Sequence, residues 1–416
     1  MSTMKDLFLL GAGASKEAGI PIATDMTKRM LDIFSGDKYL EKHSRILRFV
    51  VGGLLFKQGV KGQDPFNGVD IEALFNAVRL LADRKNSEIS SFVSSWSPII
   101  DEMEGGEIDE VTAKHLLDTI YEPIERYLEE HDRYHQEKER HIHSLGKRID
   151  PWLSQYEFKE TLKFSISEFM RGSGGKLFEE TAEIMTRKLI EIVWINDPSR
   201  IQKLIPLVKY AQENGSSIVT LNYDNTIELS SEIARIQIDT GFESWSRTGV
   251  FSFRPHHVPF IKLHGSIDWA LLEERPTREK PLIHEIIRKV VPTEISEKEK
   301  NFRPEIIFGG KNKLTAKGPF LGLLQAFETK LAQCDRLIVV GYSFRDDHVN
   351  EYIRTWMNGN LSRVLLIINP FIKTLDNSFV DELLKLEKIG RVIPMDKTAT
   401  EGIEEIIADG QLAPRS

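Results

Sequence analysis

Seven short runs along the chain are almost wholly apolar and rich in β-branched residues: Asp6–Leu10, Ser217–Leu221, Phe260–Leu263, Glu305–Phe308, Leu337–Val340, Val364–Ile368 and Arg391–Ile393. Several lack the alternation of a half-exposed strand, which is the pattern of strands covered by helices on both faces. Most are followed at once by Gly, Asn or His, and in open α/β sheets ligand groups gather at such carboxyl ends. The long stretch between the first and second runs reads instead as helix. Thr24 is a candidate N-cap for a helix carrying Met26, Met30, Leu31 and Phe34. Ile124, Leu128, His131, His135, Ile142, Leu145 and Ile149 recur at spacings of three and four along a second, Glu122 to Ile149. A third is expected from Phe178 to Trp194. The fold class expected is α/β: a Rossmann-like parallel sheet from residues 1–27 and 200–410, carrying a large, mainly helical insertion at 28–199.

Composition narrows the class without naming a chemistry. The 416 residues are 41% hydrophobic and 28% charged, with 28 glycines and 17 prolines, which is globular and excludes collagen-like or wholly disordered chains. Fifty-five basic residues against 63 acidic give 55 − 63 = −8, so no global positive field gathers nucleic acid or acidic lipid. Cys334 is the single cysteine, which removes intrachain disulfides and any multi-cysteine zinc site, and a reducing, cytoplasmic setting is the expectation. The segment Met4 to Ala14 has Asp6 where a signal peptide would be basic and runs into Lys16-Glu17, so it reads as a buried strand. The longest other apolar stretches, Phe49 to Phe56 and Leu337 to Phe344, fall far short of the ~20 residues of a membrane span.

Three segments carry candidate chemistry. Gly11-Ala12-Gly13-Ala14-Ser15 follows the first strand, with Gly19-Ile20-Pro21 soon after, and glycines there allow backbone N–H groups to approach a phosphate. It is not a dehydrogenase fingerprint, because Asp32 sits in a helical pattern rather than at a second strand end, and no Gly-Lys-Ser/Thr follows as in ATPase phosphate loops. Asn222-Tyr223-Asp224-Asn225 follows the second strand, and His264-Gly265-Ser266 the third. Taken alone, a lone histidine or Asn-x-Asp reads as structural. His131 and His135, with His141 and His143 nearby, read as a solvated helix rather than a metal site, since no Glu stands between them as in His-Glu-x-x-His. Asp70, before Glu72, reads as a helix cap.

Their joint order resembles the sirtuin family and its bacterial sirtuin-like relatives: glycine turn, Gly-Ile-Pro, Asn-x-Asp after a strand, His-Gly after the next. Downstream, Gly341-Tyr342-Ser343-Phe344 is similar to the Gly-Tyr-Ser segment of those relatives, and Ile367-Ile368-Asn369-Pro370 to their strand-end asparagine. The likeness covers residues 5 to 27 and about 216 to 395. It implies a site for NAD as substrate: Gly11, Ala12, Gly13 and Ser15 at the pyrophosphate, Gly341, Ser343 and Asn369 at the adenosine half, Asn222 and Asp224 at the nicotinamide ribose, His264 bonded to the ribose hydroxyls. Two departures count. Ile22-Ala23-Thr24 stands where deacylases have Asp-Phe-Arg, and Cys334 alone cannot form their four-cysteine zinc module, so no metal is implied.

What the resemblance implies is therefore cleavage of the nicotinamide–ribose bond, with Asn222 orienting water and His264 taking up a proton as an oxocarbenium-like ribose develops. Bacterial relatives without the zinc module are often NAD-depleting effectors of anti-phage defence. This chain resembles the stand-alone subunit paired with a HerA-type hexameric ATPase, which implies a homo-oligomer, no membrane, and nucleic acid only indirectly through the partner. Two alternatives share the site: an NAD- or ADP-ribose-binding regulatory subunit of an ATPase assembly, and a protein ADP-ribosyltransferase.

Overall fold

The computed structural model describes residues 5–60, 68–83, 174–277, 281–282, 284–290, 306, 318–375 and 377–409. The strands are β1 (Asp6–Leu10), β2 (Ser217–Thr220), β3 (Ile238–Asp239), β4 (Val258–Lys262), β5 (Trp269–Glu274), β6 (His284–Lys289), β7 (Arg336–Val340), β8 (Val364–Ile368) and β9 (Val392–Met395). The α-helices are α1 (Ala12–Lys16), α2 (Ala23–Gly36), α3 (Glu41–Val60), α4 (Ile71–Ala82), α5 (Gly174–Val193), α6 (Ile205–Glu213), α7 (Thr226–Ala234), α8 (Phe242–Thr248), α9 (Phe320–Gln333), α10 (Asp347–Gly359), α11 (Ser378–Leu384) and α12 (Ala399–Asp409).

Seven strands form one sheet in the order β3-β4-β2-β1-β7-β8-β9, and β5 pairs antiparallel with β6 beside it. Every neighbouring pair in the large sheet is parallel. This is the Rossmann-type α/β architecture expected. The apolar runs are continuous because both faces are covered. Leu7, Leu9, Val219, Ile261, Leu337, Val339, Leu365 and Ile367 bury one face against α9, α10 and α11, through Leu323, Phe327, Ile353, Trp356 and Phe379. The alternate residues Phe8, Leu10, Ile218, Phe260, Ile338, Val340, Leu366 and Ile368 bury the other against α6, α7 and α12, through Leu207, Val208, Ile227, Ile403 and Ile406.

The chain leaves β1 toward β2 on one side, and β7 closes on the other. The carboxyl ends of β1, β2 and β7 thus lie at a reversal of strand order, where ligands bind in such sheets.

Among the described residues two compact units divide at Ile22/Ala23 and Leu189/Ile190, against the expected 28 and 199. The later boundary falls early because the segment after α5 is bound to the sheet unit: Asn225 exchanges two hydrogen bonds with Ile195, both 2.9 Å, and Arg200 Nε donates to Ala18 O at 2.8 Å. In the second unit α2, α3 and α4 pack on one another through residues such as Met30, Phe34, Leu47, Val51, Leu74 and Phe75.

Several expectations shift by local physics. Helix α2 starts at Ala23, so Thr24 lies inside its first turn rather than capping it. β7 begins at Arg336, a charge the apolar pattern excluded, and β9 runs on to Met395. Of Glu305–Phe308 only Ile306 is described, in an isolated antiparallel bridge to Gly265. The helix expected over 122–149, with its histidines, lies outside the described residues.

Arg336 enters the sheet because it has a partner in register. Asp6 stands opposite it, Arg336 Nε and Nη2 donate to the two carboxylate oxygens at 2.8 and 2.6 Å, and Tyr210 Oη donates to Asp6 Oδ2 at 2.7 Å. Burial, then the bond to Asp6, push the Tyr210 phenol up to about 12, so it stays a neutral donor. Removing one member of a buried pair strands the other charge, so Asp6→Ala should cost about 3–5 kcal/mol in urea unfolding. A loss under about 1 kcal/mol would show that the triad only decorates the sheet.

Candidate active site

The site is assembled by four loops at one edge of the sheet. The first contact is backbone on backbone. Gly11 N donates to Val340 O at 2.9 Å and Gly13 N to Gly341 O at 2.8 Å, docking the turn after β1 against the turn after β7. No side chain fits there: a Cβ on Gly11 would stand 2.5 Å from Tyr342 Cα, and one on Gly13 2.7 Å from Gly341 Cα. Gly341 also holds φ +63°, where glycine is favoured. The N–H groups of Gly11 and Gly13 expected at a pyrophosphate are therefore engaged within the protein, and these glycines are required for close packing. Ala12 is half-buried beside them.

The second loop, after β2, is tied to the first. Asn222 Nδ2 donates to Gly11 O at 2.9 Å and to Ser15 Oγ at 3.0 Å, while its backbone N–H donates to Thr220 Oγ1 at 3.0 Å. Both amide hydrogens are thus directed into the β1 turn. Ser15 is buried and lies 3.4 Å from Thr226 Oγ1, so it joins Asn222 to the start of α7. Asp224, expected at the ribose, is buried, and its Oδ1 accepts from Thr226 N at 3.0 Å and Thr226 Oγ1 at 2.6 Å. These two bonds start α7 directly after the Asn222 loop.

The third loop, after β4, is bound to the second. Tyr223 O accepts from Ile267 N at 3.2 Å and Ser266 Oγ at 3.3 Å. Beneath them lies Lys262, fully buried, donating to Asp224 O at 2.5 Å and Glu228 Oε1 at 2.8 Å. Burial alone would lower its ammonium, but Glu228, Asp268 and Asp224 outweigh that and hold it above its ordinary range. A fixed cation thus clamps the carbonyl of the Asn222-Tyr223-Asp224 loop. Gly265, at φ +83°, then turns the chain behind His264.

His264 is buried and faces the fourth loop: its Nε2 lies 2.9 Å from Asp346 Oδ2. The Tyr223 ring lies 6.4 Å from the imidazole, centroid to centroid. Ser343 is half-buried, and Asn377 Nδ2 donates to the carbonyls of Ser343 and Phe344 at 3.4 and 2.8 Å. Asn369, expected at the adenosine half, donates to Tyr342 O at 3.3 Å and accepts from Phe371 N at 2.9 Å, holding the loop after β8 against the one after β7.

The structure thus links Gly11, Gly13, Ser15, Asn222, His264 and Gly341 through one circuit of contacts. Sequence reasoning missed Lys262, Tyr223 and Asp346 as parts of it. Asp346 carried a signal, an acid at the start of an apolar-periodic helix, but that signal reads as a cap and it is one as well. Among the described residues no cluster of three or more His, Cys, Asp or Glu is placed to hold a metal ion, and no helix is long and apolar enough to cross a membrane.

Fold and site together define a Rossmann-type α/β protein whose polar side chains converge at the carboxyl edge of the sheet. Residues 216–382 match the family model described as the SIR2-like domain, a span that holds Asn222, His264, Gly341, Ser343, Asp346 and Asn369 and leaves the β1 turn outside. No curated protein matches the chain. Among solved structures it is similar to Sir2Tm bound to a propionylated peptide, at 16% identity and a TM-score of 0.34, over 57% of this chain and 83% of that one. It is also similar to Sir2 in complex with the inhibitor EX-527, 2'-O-acetyl-ADP-ribose and a deacetylated p53 peptide, at 16% identity and 0.33, over 57% and 84%. A third is Sir2 bound to an acetylated peptide, at 15% and 0.32, over 57% and 82%.

The docked turns yield a direct test. In Gly341→Ala the new Cβ would stand 2.5 Å from the Gly13 carbonyl carbon, whereas in Gly390→Ala, at φ +69°, it would meet open space. Gly390→Ala should lose only the left-handed backbone cost of about 1–2 kcal/mol, and Gly341→Ala about 1–3 kcal/mol more by overpacking. Equal losses in urea unfolding would mean that the two turns part without penalty.

Proposed function

We propose that the protein hydrolyses NAD to nicotinamide and ADP-ribose at this edge, with Asn222 and His264 carrying the chemistry. The observation that carries the reading is the Asn222 amide, whose hydrogens go to Gly11 O and Ser15 Oγ. That commitment leaves its Oδ1 without a partner among the described residues, as an acceptor to orient a water. The match of residues 216–382 to the SIR2-like domain supports NAD as the substrate.

In the reaction the C1'–N bond of the nicotinamide ribose breaks, and its electron pair goes to the pyridinium nitrogen, so nicotinamide leaves neutral. Water forms the new C1'–O bond and gives up one proton. His264 accepts that proton, directly or through a ribose hydroxyl, and passes it to solvent. Asn222 oriented by the β1 turn supplies a dipole fixed before reaction, the kind of group that stabilises developing charge without reorganising. Asp224 stands beside Asn222, its Oδ1 at the start of α7 fixing the loop that carries that amide toward the ribose.

The wider reading is a cytoplasmic homo-oligomer that depletes NAD in anti-phage defence, restrained by a HerA-type hexameric ATPase. The sequence resemblance supports it, and native mass spectrometry of the protein with that ATPase tests it.

Purified protein incubated with NAD should release nicotinamide and free ADP-ribose in equal amounts, resolved by chromatography. His264→Gln should slow this by about 10²–10⁴-fold and Asn222→Ala by about 10²–10³-fold, with melting temperatures reported alongside. Label retained on protein would select ADP-ribosyl transfer instead. Tight ADP-ribose binding without turnover, alone or with the ATPase, would select the regulatory role.

A further inference from the structure

Asp346 meets His264 in a buried site, with side-chain exposures of 5% and 8%. A carboxylate only accepts hydrogen bonds, so at 2.9 Å the imidazole Nε2 must carry the proton. The neutral ring then has its lone pair on Nδ1. Asp346 is itself immobilised from three sides. Its Oδ1 accepts from His348 N at 3.0 Å and Val349 N at 3.4 Å, capping α10. Its backbone N–H donates to Tyr342 Oη at 3.0 Å. Tyr342 Oη in turn is within donating distance of Asn350 Oδ1 at 3.1 Å and Asp346 O at 3.2 Å. The two carboxylate oxygens therefore have separate partners, one for the helix and one for the histidine.

We propose that Asp346 is the positioning residue of His264. It fixes the ring's tautomer and rotation, so that Nδ1 is the atom that accepts the proton, and it compensates the charge of the imidazolium that forms. This rests on the reading of His264 as proton acceptor in NAD hydrolysis. In a buried site a fixed carboxylate second to the histidine does what it does for other histidine bases, where losing the correct tautomer is costly although the fold persists. A loop tie alone would not require a carboxylate, because any short acceptor at this position caps α10.

Asp346→Asn separates the two roles. The backbone N–H groups of His348 and Val349 select the amide oxygen, which turns the NH2 toward Nε2. The ring must then present its lone pair there and place its hydrogen on Nδ1. With 15N-histidine labelling, and His264→Gln to assign the signal, the wild type should show Nε2–H and Asp346→Asn should show Nδ1–H. Turnover of NAD should fall about 10²–10⁴-fold, while the ADP-ribose dissociation constant by calorimetry stays within about threefold, about 0.7 kcal/mol. Should the amide variant not fold, Asp346→Ser keeps a helix cap and removes the carboxylate, and the single Nε2–H signal should be lost. Nε2–H retained in the variants, or unchanged turnover in a variant of an active enzyme, would overturn the proposal. A tautomer switch in a protein that never turns over NAD would sink the hydrolase reading and leave the positioning of the ring standing.

Discussion

The candidate site exists because two turns touch with nothing but backbone between them. Gly11 and Gly13 lie against Gly341 and Tyr342 so closely that any side chain there would overlap main-chain atoms. That contact fixes the end of β1 relative to the end of β7, and the other loops are hung from it. Asn222 bonds to the β1 turn on one side, and Asp346 reaches His264 from the β7 side. Two further bonds, Tyr223 to Ser266 and Asn369 to Tyr342, bind the remaining loops in. The glycines serve geometry first, and the polar groups inherit their positions from it.

The two ends of the sheet use buried charge differently. At the amino edge Asp6, Arg336 and Tyr210 bond to one another in a buried cluster. At the carboxyl edge Lys262 is directed at backbone carbonyls and Glu228, so its charge holds a loop in place. In both places, removing one partner would strand a buried charge.

The strands were legible because a parallel sheet covered on both faces writes itself as unbroken apolar runs; Asp6–Leu10 and Val364–Ile368 coincide with β1 and β8. Arg336 was not, since a pattern of apolar residues cannot show that a charge has a partner across the sheet. The two-residue β3 and the β5–β6 pair were also missed, the first for its length. Glycine turns, Asn222 and His264 were legible as residues at strand ends. Their partners were not. Only three-dimensional contact shows that Asp346 reaches the histidine and that Asp224 also starts a helix. Lys262 falls inside the apolar run Phe260–Leu263, but the run does not show which carbonyl and carboxylate its ammonium reaches.

The proposed hydrolysis requires one dinucleotide to lie along this edge with its scissile ribose between Asn222 and His264. A crystal structure of the His264→Gln protein with ADP-ribose decides this. The pyrophosphate should then lie beside the Gly11 to Ser15 turn and the terminal ribose within hydrogen-bonding distance of the Asn222 amide. Ligand density elsewhere on the protein, or none at saturating ADP-ribose, would contradict it.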